Sequence, residues 1–430
     1  MTPLRRWLAP SLAAVLGLTG CSPSSTLPEY EVLDAPGELI ASDKERVTTP
    51  NVPDADFAAL VAGNTDFGAS LYRELAEPGK NLFFSPYSIT QAFAMVYAGA
   101  RGNTETQMAQ ALHFSLPQER LHPAMNALDL AIQSHAGRAG EDQGMPPTLR
   151  VVNAAWGQKG LTFEPPFLDV LAQNYGSGMR VVDFSADPDS IRDSINDWAH
   201  RRTEGRIPKL LPPDMVTHDT SLLLANALYF KGSWRSRFSL DGTQPAPFHL
   251  LDGSTKQIPM MSVSMSFPHT TGDGFEAIAL PYVGQAFRML VIVPDQGRFT
   301  ELESRLSASF LDSVRAGLQD RYTALRFPKF QVSQELPLPE PLRALGMVDA
   351  FTDSANLSGM TQQMALKLTG AQHQAVVSVD ELGTEAAAAT AVAAGPVTIP
   401  EPTTVDRPFL FLIEDVETKS VLFLGRVVNP

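Results

Sequence analysis

The residues with the clearest chemical message lie between Thr384 and Pro400. From Thr384 to Ala394 the chain runs Thr-Glu-Ala-Ala-Ala-Ala-Thr-Ala-Val-Ala-Ala, followed by Gly395-Pro396-Val397-Thr398-Ile399-Pro400. Taken alone, the alanine-rich part is open to two readings. Ala is the best helix former, so one reading is a helix or a plain linker. The other is an extended segment able to join a preformed sheet. Side chains alternate along a strand. One face would then carry Thr384, Ala386, Ala388, Thr390, Val392 and Ala394, all small and uncharged. A large or charged residue on that face would cost about 1–3 kcal/mol or more in overpacking or desolvation. Glu385, the only charge in the stretch, falls on the opposite face with Ala387 and Ala389. Gly383 at the base can absorb backbone rotation, and Pro396 pre-sets an extended backbone.

Enzyme signatures are missing elsewhere. There is no Gly-x-Ser-x-Gly elbow, no His-Glu-x-x-His and no phosphate-binding loop. The eight His are scattered without ligand spacing, so no metal site and no cofactor are expected. The formal net charge of -14 gives no electrostatic reason to hold nucleic acid, and it argues against activation by a polyanion. With 44% hydrophobic and 19% charged residues, the composition is that of an ordinary globular protein.

The single Cys, Cys21, leaves the folded part without a disulfide or thiol nucleophile. Arg5 and Arg6 precede a short apolar run, Trp7 to Thr19, that ends in Leu18-Thr19-Gly20-Cys21. This pattern resembles a bacterial lipobox, in which small residues admit the signal peptidase and the Cys thiol carries lipid. Ser22 follows Cys21 where an Asp would favour inner-membrane retention. The expectation is therefore an exported lipoprotein, anchored through Cys21 to a bacterial outer membrane, with a signal peptide over residues 1–20. Residues 21–52, rich in Ser, Pro, Thr and acidic residues, read as a flexible tether. The folded domain is expected over 53–430.

Several elements must position the 384–400 stretch. Phe57, Leu60, Val61, Asn64, Phe67, Leu71 and Leu75 recur at helical spacing. Phe83 and Phe84 suit a short strand, Ser85 an N-cap and Pro86 a first helical residue. The stretch to Ala100 is apolar nearly all round, as in a buried helix. Leu222 to Phe230 and Met289 to Val293 suit buried strands, and Phe409 to Ile413 with Ser420 to Val428 a terminal hairpin. Mixing without a βαβ rhythm points to α+β.

Four blocks in order then give the chain a resemblance to the serpins, inhibitors of serine proteases. They are Asn81 to Ile89 with its helix; Ile195-Asn196-Asp197-Trp198 with Thr203 to Ile207; Asn226 to Trp234; and His373 through Asp380 to Ala387, Asp406 to Phe409 and Phe423 to Pro430. The resemblance implies an α+β serpin fold with three β-sheets, surrounding helices and an exposed reactive-centre loop. It also implies an inhibitor, not an enzyme, acting as a monomer on a serine protease. The protease forms an acyl-enzyme on the loop, which inserts into the main sheet. In inhibitory members the cut falls 17 residues along from the Glu before the hinge, and Glu381 to Val397 inclusive is 397 − 381 + 1 = 17. The reactive bond is thus expected at Val397–Thr398. Ala393, Ala394, Gly395 and Pro396 before it look like an elastase-type bait, a small aliphatic residue for a small pocket. Glu381, Gly383, Thr384, Glu385 and Ala386 to Ala389 form the expected hinge; Ala388 stands where Gly is also common.

Ser85, Ser88, Asn226 and His373 match a hydrogen-bonded cluster where the large sheet opens. Lys329 and Glu381 match a salt bridge at the top of that sheet, and Trp234 a nearby core aromatic. Pro337, Pro339 and Pro341 depart from the family where a short helix is usual, and should stiffen or shorten it. Two alternatives accompany this reading. A non-inhibitory carrier or chaperone would carry bulky or charged hinge residues, and some members inhibit papain-like cysteine proteases.

Overall fold

The computed structural model describes residues 35–140, 142, 144–384 and 402–430. The helices are α1 (Asp54–Leu75), α2 (Pro86–Tyr97), α3 (Gly102–Ala111), α4 (Gln118–His135), α5 (Pro165–Tyr175), α6 (Pro188–Arg202), α7 (Phe299–Arg305), α8 (Ala308–Gly317) and α9 (Pro339–Ala344). The strands are β1 (Glu38–Ile40), β2 (Leu82–Phe84), β3 (Thr148–Gln158), β4 (Met179–Val182), β5 (Leu222–Ser233), β6 (Gln244–His249), β7 (Thr255–Gly272), β8 (Phe275–Pro281), β9 (Phe287–Pro294), β10 (Gln319–Pro328), β11 (Phe330–Pro337), β12 (Gly370–Val379), β13 (Gly383–Thr384), β14 (Pro402–Thr404), β15 (Phe409–Asp415) and β16 (Val421–Val427).

The local rules that the sequence obeys explain the central elements. The Ser85 hydroxyl caps α2 by accepting from Ser88 N, and Pro86 opens the helix without wasting an amide. Every residue of α2 is buried, as its all-round apolarity requires. β15 and β16 are buried along their whole length. They pair with each other, β15 also with β9 and β16 also with β2, forming the core of the second sheet. Phe83 stacks on Phe423 there, with ring centroids 4.9 Å apart.

The first sheet has the order β1-β4-β3-β5-β13-β12-β11, with β5 and β12 also paired directly. The second runs β14-β10-β7-β8-β9-β15-β16-β2, with β6 on β7. The resemblance implies three sheets. Hydrogen bonding joins the smaller two here because β7 is continuous: it pairs with β6 over residues 255–260, with β10 over 260–269 and with β8 over 269–272. α9 is short, with Pro339 as its first residue, in line with the proline-rich entry.

One expectation is corrected. Residues 35–52 are not tether but belong to the folded unit, which starts at Ala35. Glu38–Ile40 adds a strand to β4, and Ala35 is buried. This segment has no apolar period because backbone pairing and polar side-chain bonds hold it, and neither leaves a hydrophobic repeat. Cys21 lies outside the described residues.

Candidate functional site

The site is the seam between β5 and β12. Over its first part the two strands are direct parallel neighbours, from Gly370 opposite Leu223 to Ala375 opposite Leu228. Beyond that they separate, and β13 occupies the space. Gly383 and Thr384 pair with Ser233 and Gly232 of β5, and Thr384 with Val379 of β12. Gly383 and Thr384, two of the expected hinge residues, are thus already strand residues of the sheet.

Their seat is built from neighbours of matching shape. Thr384 is buried, and its hydroxyl lies 2.8 Å from the Tyr282 hydroxyl. Tyr282 stacks on Trp234 at 4.6 Å and meets Phe230 edge-on at 4.9 Å. Burial pushes the Tyr282 phenol well up, so it stays a neutral hydrogen-bonding group. Trp234 donates its ring N–H to Asp380 O and its amide to Leu382 O, each at 2.9 Å. A Cβ at Gly383 would lie 2.1 Å from Gly232 O, so only glycine lets the hinge pass this close to β5. The turn before it is shaped by Asp380, whose Oδ1 accepts from Leu382 N at 2.9 Å and Gly383 N at 3.2 Å.

Glu381 anchors the hinge to the second sheet. Its carboxylate accepts from Lys329 Nζ at 2.9 Å and from the Thr243 hydroxyl at 2.7 Å. Burial acts to raise its pKa, but these hydrogen bonds outweigh it and hold the carboxyl below the usual range.

Lower in the seam lies the polar cluster. His373 stands opposite Asn226 in the register. Asn226 Nδ2 donates to Ser88 O at 2.8 Å, which fixes the amide so that Asn226 Oδ1 accepts from His373 Nδ1. His373 Nε2 accepts from Ser85 N at 3.1 Å. The ring is therefore neutral with its proton on Nδ1, and complete burial pushes its pKa down to about 3. It stays uncharged at neutral pH and serves as a hydrogen-bonding group in the seam.

The expected residues thus form two groups. Ser85, Ser88, Asn226 and His373 converge beneath the closed part of the seam. Lys329 and Trp234 sit with Glu381, Gly383 and Thr384 at the hinge end, about 20 Å further along β12 by strand rise. Sequence reading missed Asn153, Tyr282, Thr243 and the role of Asp380. Asn153, opposite Asn226 on β3, bonds with Ser88 and Asn226; an amide in the middle of the apolar run from Val151 to Trp156 was its signal. Tyr282 carried no signal, since only tertiary structure brings it to the hinge. Glu385, Ala386 to Ala389, Ala393, Ala394, Gly395, Pro396, Val397 and Thr398 lie outside the described residues.

Comparisons with known proteins agree with this architecture. A family model described as serpin (serine protease inhibitor) matches residues 62–430. Leukocyte elastase inhibitor from Bos taurus is 37% identical over 384 residues, covering 86% of this chain and 99% of that protein. An uncharacterized serpin-like protein from Thermococcus kodakarensis is 36% identical over 376 residues, covering 86% of each. The crystal structure of uncleaved ovalbumin superimposes with a TM-score of 0.77 at 27% identity, covering 86% of this chain and all of that one. The length of these matches, and the seam whose strands and polar cluster they span, show that the chain belongs to the serpin family.

Proposed function

We propose that this serpin inhibits an elastase-like serine protease by a suicide-substrate route through Val397–Thr398. The observation that carries the reading is the seat of Gly383 and Thr384 between β5 and β12, which offers the following residues a track into the sheet. The protease serine attacks the Val397 carbonyl, the Val397–Thr398 bond breaks, and Thr398 leaves as the new amino terminus. The acylated strand then extends from Thr384 down the seam, carrying the protease with it, before water can release Val397. About ten added backbone hydrogen bonds at roughly 0.5–1.5 kcal/mol net each give a driving force of order 10 kcal/mol. Similarity to leukocyte elastase inhibitor and the Ala-Ala-Gly-Pro-Val bait support the elastase-type pocket.

A denaturant-stable complex with an elastase-type enzyme, together with a released peptide starting at Thr398, is the expected result. A peptide starting elsewhere refutes the assigned bond. Val397→Arg should move preference toward trypsin, by roughly 10–200-fold on the scale of pocket mismatches. The chain is also a lipoprotein in this reading, held to the outer membrane by lipid on Cys21. Its support is the lipobox-like Leu18-Thr19-Gly20-Cys21. Intact mass of membrane-extracted protein should show that lipid, and Cys21→Ala should leave the membrane fraction; an unmodified wild-type chain ends the idea.

A further inference from the structure

Residues 36–47 fasten two parts of the molecule that loop insertion must move apart. At one end the strap belongs to the sheet. β1 pairs with β4, placing Leu39 opposite Arg180. Trp156 Nε1 donates to Pro36 O at 2.9 Å, and Arg180 Nη1 to Gly37 O at 3.0 Å. At the other end the strap belongs to helices. The Ser42 hydroxyl donates to Asp169 of α5 at 2.6 Å, and Lys44 forms an ion pair with the same carboxylate at 2.7 Å. Arg46 reaches α4, donating from Nε to Asn126 at 2.9 Å and from Nη2 to Asp129 at 2.5 Å. Asp129 also accepts from the buried Tyr87 hydroxyl at 2.7 Å. Tyr87 stands between Ser85 and Ser88, the α2 residues of the polar cluster beneath the seam.

The mechanical consequence follows from the topology. Admitting a strand between β5 and β12 shifts the half made of β5, β3, β4 and β1 by about one strand spacing, ~4.8 Å, relative to β12 and β11. β12 and β11 contact β2, β2 pairs with β16, and α1 packs on both β16 and α4. α4 therefore stays with the half that holds β12, whereas β1 travels with β5. No hydrogen bond survives a displacement of that size, so opening must break either the β1–β4 pairing or the Arg46 contacts.

We infer that residues 36–47 are a brake on sheet opening: an N-terminal strap that sets how fast the loop inserts and keeps the intact chain from inserting its loop uncut. This inference rests on the insertion mechanism proposed above and adds its control element.

The test uses the full chain. Arg46→Ala removes the charge-assisted bonds to α4, each worth enough to change a rate about tenfold or more. Held below its melting transition, intact Arg46→Ala protein should convert to an uncleaved, heat-resistant form about tenfold faster than wild type. Among the described residues Arg46 is the single side chain that ties the strap to α4, so we take its contacts as the ones that opening breaks and the inserted form does not use. The intact variant should melt lower than intact wild type, while the two cleaved forms melt alike. Gly37→Val is the second variant. Gly37 has φ +94°, and a Cβ there would lie 2.7 Å from Val181 O, so it lifts β1 without touching Arg46. Unchanged conversion rates, or equal melting losses in intact and cleaved forms of both variants, overturn the brake. If cleaved wild type melts no higher than intact wild type, the insertion mechanism itself has failed and the brake falls with it.

Discussion

The seam between β5 and β12 is built in two ways along its length. At the hinge end the strands are already parted, and Gly383 and Thr384 fill the space over a seat of Trp234, Tyr282 and Phe230. Further along, the same two strands pair directly above a polar network of His373, Asn226, Ser88, Ser85 and Asn153. The upper part can accept more strand without breaking any β5–β12 bond. The lower part must surrender that pairing and disturb a largely buried network of neutral groups, where each orphaned buried donor or acceptor costs about 1–3 kcal/mol. Entry is thus prepared at one end and resisted at the other, so insertion should proceed as a zipper from Thr384 downward, with its barrier in the lower seam.

Blocking the prepared end should have the largest effect. Thr384→Arg puts a charge into a buried slot that now holds a hydroxyl bonded to Tyr282. With a cost of several kcal/mol for an unpaired buried charge, strand entry should fail. Cleavage by the target protease should persist while the denaturant-stable complex disappears on a gel. A variant that still traps protease like wild type would show that the seat is not the entry point.

A smaller effect, on pH dependence, sharpens the other side of the comparison. His373 is held neutral by burial, with its pKa pushed down to about 3, against about 6.5 in the unfolded chain. His122, buried against the Tyr175 hydroxyl, is likewise pushed down to about 3 by burial. For groups whose folded pKa is depressed in this way, the unfolded state binds more protons between the two values. Stability is complete above pH 6.5 and falls as the pH drops toward 3, by up to about 1.4 kcal/mol per pH unit for each residue. Denaturant titrations of the intact protein from pH 7 to 5 should show this loss, and His373→Gln should remove the part of it that His373 contributes. A His373 imidazole that titrates near 6.5 by NMR in the intact protein would mean that the lower seam is already open to water.

Legibility in the sequence followed the range of the forces involved. Ser85 and Pro86 announced the start of α2 because capping is decided within one helical turn. Leu222 onward, Met289 onward and the terminal hairpin were legible as strands because buried strands are continuous apolar runs. The segment from Ala35 to Val52 was misread as tether because its anchors, Trp156, Asn126, Asp129 and Asp169, are 80 to 127 residues away in the chain for the side-chain bonds that define it. The distance between the Lys329 and Trp234 group and the Ser85 and His373 group could not be read from residue types; the β12 register sets it.

By itself the sequence determined the α+β character, the absence of the familiar enzyme signatures, and the family to which the four ordered blocks point. It also determined that one face of the stretch from Thr384 to Ala394 is small enough to enter a core. These are properties of residue type and local spacing, and they hold wherever the chain happens to lie. Only the tertiary structure decided that Thr384 is already seated, that Tyr282 receives it, that Asn153 completes the polar cluster, and that an N-terminal strap ties β4 to α4. Each of these depends on which distant strands and helices become neighbours, and long-range register leaves no periodic mark in the residues that it joins.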